Sequence, residues 1–313
     1  MARYPSTVMV SIVCPWDDDE RLDEAIFRRA IRHALNAGFR HLYVFGTAGE
    51  GYAVDSDRFR QVVEVFGDEL TGTDAQPMVG VIGLSTANVV ERLAVAHDLG
   101  IRAFQVSLPS WSSLTDSEVV TYMEAVCGAF PDSTFMHYNT ARVGRLVGGR
   151  LYAEIAARVP NLAATKTMTG DLATVAGVVR DAPELMHFLT EQSIAYGALF
   201  GEVALLGTFG ALAPDRSWAL LRAAQSGRHH EAAEIGSWFD RLNADLFTPL
   251  MVDRRVDGAY DKAIEKLSPG LDDFPLRMLS PYRTISDAEF DGARRILRER
   301  FPELATDPAR RAT

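Results

Sequence analysis

An eightfold alternation constrains this chain more than any other feature in it. Short β-branched or aromatic runs recur at 8–14, 40–46, 77–83, 102–108, 134–139, 162–166, 185–190 and 203–207. Each is close to continuously apolar, as expected of a strand covered on both faces. Amphipathic stretches separate them, at 21–37, 56–69, 85–98, 115–129, 149–158, 170–180, 194–200 and 215–226. In the first of these, Leu22, Ile26, Ala30, Ile31 and Leu35 share one face, and Gly38 supplies a stop. In the second, Val62, Val63 and Phe66 point inward and Ser56 suits the N-cap. Ser85 opens the third. Thr115-Asp116-Ser117-Glu118 opens the fourth with hydroxyl and acidic types that favour a helix start. Strict strand–helix alternation requires a parallel sheet with right-handed crossovers. Eight such units predict a closed (β/α)8 barrel, the TIM-barrel form of the α/β class. The rival is an open doubly wound sheet, but no G-x-G-x-x-G follows the first strand.

After about residue 227 the strand-like runs stop. Segments 229–247, 258–267 and 286–300 read as helices, with Asp287 and Glu289 on an exposed face and Leu297 on a buried one. The stretch around Pro275 and Pro281 joins the last two. The expected organisation is a site-bearing barrel over 1–227 and a C-terminal helical extension over 228–313.

Composition narrows the partners. The chain has 313 residues, 47% apolar and 24% charged, so it can bury a core without a metal or disulfide staple. The net charge of −10 is spread over interspersed residues and argues against a nucleic-acid partner. Arg294, Arg295, Arg310 and Arg311 read as a solvated face or tail. Cys14 and Cys127 lie in apolar runs and form neither a disulfide framework nor a zinc pattern; reduced core packing is expected. No stretch reaches 18 uninterrupted apolar residues, and the first residues lack a signal-peptide pattern. A cytoplasmic location without a membrane partner is therefore expected.

In a barrel of this kind chemistry belongs at the C-terminal ends of the strands. Lys166 closes the apolar run LAATK, where a lysine seldom sits without a reason. Desolvation lowers the pKa of such an amine. At an unperturbed pKa of about 10.4, roughly one lysine in 2,500 is neutral at pH 7, and only the neutral amine attacks a ketone. Tyr138 ends the fifth run, where a phenol can relay a proton. Gly46-Thr47-Ala48-Gly49 offers backbone N–H groups beside a hydroxyl, a loop able to hold a carboxylate.

These pieces share the order and spacing of a known family. GTAGEGYAV (46–54) resembles a G-[ST]-T-G-E signature. HYNTARVGRLV (137–147) resembles Y-N-x-P-x-x-[ST]-G. ATKTMTGDL (164–172) resembles the G-x-K-x-x-[ST]-G-D segment that holds a Schiff-base lysine. All three belong to the dihydrodipicolinate synthase/N-acetylneuraminate lyase family of class I aldolases, and FPLRMLSPYRTISDAEF (274–290) resembles a common ending there. The resemblance implies an imine between Lys166 and a 2-oxo acid such as pyruvate. It implies that Tyr138 shuttles protons, that Thr47 joins the relay, and that Thr47 and the N–H of Ala48, with Gly49 in the same loop, hold the substrate carboxylate. Leu206, at the end of the eighth run, joins the implied substrate-binding set. No metal or organic cofactor is implied; the covalent imine on Lys166 is the electron sink. A homotetramer is also implied.

The departures bear on substrate. Ala48 stands where the family usually has a second hydroxyl. The loop LPSWSSL (108–114) carries Trp111 where the dihydrodipicolinate-forming branch places a tyrosine that reaches a neighbouring subunit. Thr140-Ala141 replaces the expected proline segment, and Arg142 is either a carboxylate-binding arginine or a rim charge. After the seventh run stand Glu191, Gln192 and Ser193 rather than a Gly-Asp pair. Trp111 resembles the P-x-W element of hydratase-aldolases, where it would give an apolar wall to a bulky or aromatic aldehyde part. Glu191 either bonds a distal hydroxyl or amine, or assists water loss, or pairs with a nearby arginine. The leading expectation is a pyruvate-dependent lyase that cleaves or forms a 4-hydroxy-2-oxo acid from small-molecule 2-oxo acid and aldehyde. Alternatives are a dehydratase of 2-keto-3-deoxy sugar acids, a dihydrodipicolinate synthase, and a non-catalytic barrel.

Overall fold

The computed structural model of the chain describes residues 3–305; Arg310 and Arg311 lie outside the described residues. The eight apolar runs form β1 (Met9–Ile12), β2 (His41–Val44), β3 (Gln76–Val81), β4 (Ala103–Val106), β5 (Thr134–Thr140), β6 (Leu162–Met168), β7 (Met186–Leu189) and β8 (Val203–Leu205). Neighbours in sequence are neighbours in space, and all pairs are parallel. A parallel bridge between Val8 and Leu205, with the Leu205 N–H donating to the Thr7 carbonyl at 3.0 Å, closes the ring. The chain is a (β/α)8 barrel.

Eight helices wrap it: α1 (Glu24–Asn36), α2 (Ser56–Leu70), α3 (Thr86–Asp98), α4 (Asp116–Gly128), α5 (Gly149–Arg158), α6 (Leu172–Asp181), α7 (Ile194–Gly197) and α8 (Pro214–Gln225). Thr115 and Glu118 form a reciprocal capping box, and Gly38 takes a φ of 87° after α1. Two sequence expectations shift by a residue. Asp55, not Ser56, caps α2, because its carboxylate reaches the Arg58 N–H at 2.8 Å. On α1 the fully buried stripe is Phe27, Ala30, Ile31 and Ala34, while Ile26 and Leu35 stay half-buried. The expected helix at 194–200 is a single turn.

Three further helices follow: α9 (His229–Leu242), α10 (Gly258–Leu267) and α11 (Asp287–Arg300). The predicted continuous helix over 229–247 ends early, its last five residues turning as a π-helix from Asn243 to Phe247. Cys14 and Cys127 are both buried and free, and burial pushes both thiols above their ordinary range. Among the described residues no helix is long and apolar enough to cross a membrane.

Strand alternation sorts the interior. Met9, Tyr43, Met78, Met136, Ala164 and Phe188 form one dry cluster inside the ring. Tyr4 joins that cluster and reaches His41 Nδ1 at 2.9 Å, plugging the end where the strands begin. Residues of opposite parity face the helices. His137 meets the Tyr152 hydroxyl at 2.6 Å, and Thr165 meets His187 at 2.8 Å. Burial drives the pKa of His137 down to about 3 and of His187 to about 4, so both stay neutral. The consequence for function is parity: if 137 and 165 face outward, Tyr138 and Lys166 face inward.

Candidate active site

Tyr138 and Lys166 are register partners across β5 and β6. Both turn into the barrel above its dry cluster, at the end where the strands finish. The Lys166 Nζ lies 4.9 Å from the centre of the Tyr138 ring. The Tyr138 hydroxyl stands 3.4 Å from Thr47 Oγ1 and 3.8 Å from the Met168 sulfur. Arg142 donates to Thr47 Oγ1 at 3.1 Å and to Asp257 at 2.7 Å. Burial works against the Arg142 charge, but Asp257 outweighs it and the pKa is raised. One chain of contacts thus runs from the strand-6 amine through phenol and hydroxyl to a guanidinium. Lys166, Tyr138, Thr47 and Ala48 border a single cavity.

The loop after β2 is built under strain. Phe45 and Glu50 hold positive φ values of 69° and 58°, unusual for side chains of their size. Phe45 stacks on Phe59 at 5.1 Å, which pins it. A Cβ at Gly49 would lie 2.7 Å from the Phe45 nitrogen, so Gly49 serves close packing of the loop upon itself. It does not line the cavity, unlike Thr47 and Ala48.

Glu50 anchors this loop from below. Its carboxylate pairs with Lys262 at 2.9 Å, and both side chains are fully buried. It also accepts from Trp16 Nε1 and the Leu279 N–H, each at 2.8 Å. Lys262 donates in addition to the Cys14 carbonyl at 2.5 Å. The cluster fastens α10 across the top of the barrel. Gly258, its first residue, packs so closely that a Cβ would stand 3.0 Å from the Thr47 carbonyl.

That placement brings residues the sequence reading missed. Asp257, Tyr260, Asp261 and Glu265 border the same cavity as Lys166. The spacing of four between Asp257, Asp261 and Glu265 is visible in the sequence, but a charged stripe at helical period reads as a solvated face.

Other expected residues fall elsewhere. Glu191 is fully buried, and its carboxylate accepts from the Thr208 and Phe209 N–H groups at 2.7 and 3.0 Å. Among the described residues it bonds no arginine, and it does not border the cavity; it fastens the loop after β8. Burial raises its pKa, while these bonds and Lys166 oppose the rise. Gln192 is exposed and outside the cavity. Leu206 is buried in the dry cluster under the site. Trp111 is 87% exposed and walls no part of the cavity within the single chain, because its loop turns it outward. A second hollow on the β3–β5 side is lined by Thr47, Ser107, Tyr138, Arg142 and Val143, again without Trp111.

A family model described as the dihydrodipicolinate synthetase family matches residues 4–256. The chain belongs to that family. Within it, a 4-hydroxy-tetrahydrodipicolinate synthase of Sulfurimonas denitrificans is 24% identical over 244 residues, 74% of this chain and 80% of that one. An N-acetylneuraminate lyase of Escherichia coli is 23% identical over 237 residues, 75% and 79% of the two chains. In three dimensions the chain is similar to YagE, a prophage protein of E. coli K12 of the same family, solved in complex with pyruvate. The TM-score is 0.82 at 17% identity, covering 94% of this chain and 98% of YagE. Dihydrodipicolinate synthetase family members of this type are lyases of the class I aldolase kind, and this chain is such an enzyme.

Proposed function

We propose that Lys166 forms an imine with the keto carbon of a 2-oxo acid such as pyruvate, and that the enzyme makes or breaks the C3–C4 bond of a 4-hydroxy-2-oxo acid. The observation that carries this is the inward register pair, with the Lys166 amine 4.9 Å from the Tyr138 ring inside a cavity at the strand ends. The amine attacks C2, and the carbinolamine loses water to give an iminium. In cleavage the C4 hydroxyl gives up its proton and the C3–C4 electron pair flows toward the iminium nitrogen. An aldehyde leaves and an enamine remains. Protonation at C3 and hydrolysis return pyruvate and the free lysine.

Tyr138 transfers the protons at C2 and C4, and its contact with Thr47 carries them onward. Backbone N–H groups beside Thr47 and Ala48 hold the carboxylate. No metal or organic cofactor enters these steps. The family resemblance further supports a homotetramer, in which Trp111 would find cover.

The test is borohydride reduction of the protein with pyruvate. The intact mass should rise by one reduced pyruvyl group, located on Lys166 by peptide mapping. An unchanged mass would reject the imine. Tyr138→Phe should lower kcat by about 10²- to 10⁴-fold while borohydride still traps some imine. Product analysis then separates cleavage, which releases pyruvate, from dehydration, which does not.

A further inference from the structure

The cavity carries more carboxyl groups than the proposed chemistry uses. Asp257, Asp261 and Glu265 all border it from α10 and its leading residue. Each charged group in the neighbourhood can be matched in turn. Asp257 is paired with Arg142. Glu191 is satisfied by two backbone N–H groups. The positive charge of Lys166, retained in the iminium, is matched by the carboxylate of the 2-oxo acid itself. Asp261, which feels the Lys166 and Arg142 charges without bonding either, and Glu265, which feels Lys262 in the same way, are left without a bonded partner.

Neither makes a side-chain hydrogen bond or ion pair among the described residues. Glu265 is only 4% exposed and still borders the cavity. A buried carboxyl without a partner is costly unless something completes it. The two lysines of the helix are already engaged: Lys262 with Glu50 and the Cys14 carbonyl, and Lys266 with the Phe274 carbonyl at 2.9 Å. Burial pushes Glu265 up to about 8 and raises Asp261 well above the carboxylate range. Both groups are thus poised to gain from a cation brought by a ligand. Val10, Val13, Ala211 and Ile264 line the same cavity, together with Ser11 and Thr208.

Resting on the imine reading, we infer that Asp261 and Glu265 are specificity-determining residues that select a substrate whose end far from the 2-oxo group carries a positive charge. A second carboxylate there would gain no ion pair and would shed its water in a site that already disfavours a carboxylate charge, so it would be rejected.

The experiment uses the full chain and three 2-oxo acids of similar length: 2-oxo-5-guanidinopentanoate, uncharged 2-oxopentanoate and 2-oxoglutarate. Each is trapped on Lys166 with borohydride, and the half-saturating concentration is read from intact mass. The guanidino acid should saturate at a concentration about tenfold or more below the uncharged acid, with 2-oxoglutarate weakest. In D261N/E265Q the spread should shrink to within about threefold. A flat ranking, a preference for 2-oxoglutarate, or a ranking that survives in the double variant overturns the inference. Labelling by pyruvate with none by the guanidino acid also overturns it and leaves the imine intact. Should the double variant fail to fold, the ranking in the unaltered chain still decides. Absence of labelling by pyruvate and by all three acids instead sinks the imine reading beneath it.

Discussion

Two lysines sit in the upper half of this molecule, and their surroundings differ in kind. Lys262, at the joint between α10 and the loop after β2, is wholly buried and bonded to Glu50 and a carbonyl. Lys166, at the barrel mouth, is only part-buried, bonds no carboxylate among the described residues, and faces a phenol across a cavity. Burial alone therefore does not mark a reactive amine. What separates them is whether the protein has already used the ammonium's bonding capacity. A fully paired lysine holds elements together, whereas one left facing space is available to a ketone.

That contrast can be broken at several points. The largest effect belongs to Lys166→Ala, which should abolish the borohydride adduct and cut turnover more than about 10³-fold. Its melting temperature should move little, since no paired charge is lost. A large drop in melting temperature with turnover retained would reverse the roles assigned to the two lysines.

Lys262→Met should do the opposite. It strands Glu50 in a dry site and should cost about 3–5 kcal/mol in denaturant unfolding. The protein that remains folded should still be labelled by pyruvate at Lys166. A cost below about 1 kcal/mol would show that the Glu50–Lys262 pair is not the fastening.

Next comes pH. Glu265 is raised to about 8, so its contribution is complete below the unfolded carboxylate range and is lost as pH rises through about 8. His137 and His187 are lowered and act in the opposite sense, but only below the unfolded histidine value of about 6.5. Between about pH 6.5 and 8 stability should therefore fall, by up to about 1.4 kcal/mol per unit for one group. Asp261 is raised too and adds with the same sign. Glu265→Gln should flatten part of the slope in urea titrations at several pH values. A rising slope in that window would contradict the unpaired state of Glu265.

Gly258→Ala tests the seat of α10 on the Thr47 carbonyl and should cost about 1 kcal/mol, with a raised KM for the 2-oxo acid. The smallest effect on the single chain is that of Trp111→Ala, within about 0.5 kcal/mol because the ring is exposed. Sedimentation should show whether that substitution loosens the assembly. A marked loss of pyruvate labelling instead would return Trp111 to the site.

Much of the site was readable because strands obey a period of two. Once LAATK and FMHYN are parallel neighbours, Tyr138 and Lys166 share the interior face while His137 and Thr165 must turn away. Motif order supplied Thr47 and Ala48 in the same way. Glu191 and Gln192 could not be read, since a carboxylate after a strand may reach a ligand or its own loop with equal ease. Here Gly207 lets the chain pass so near that Glu191 caps the Thr208 and Phe209 N–H groups.

The amino-acid order alone determined the eight alternating units, the strand ends that carry amine, phenol and hydroxyl, and the likeness to a class I aldolase family. Packing alone decided which charged residues of the later helices face the cavity. An amphipathic pattern states that a helix has two faces; it does not state which neighbour each face meets. The carboxyl stripe of α10 looks like a solvated surface in one dimension. It became part of the barrel mouth because Lys262, four residues from Gly258 along the same helix, found Glu50 beneath it.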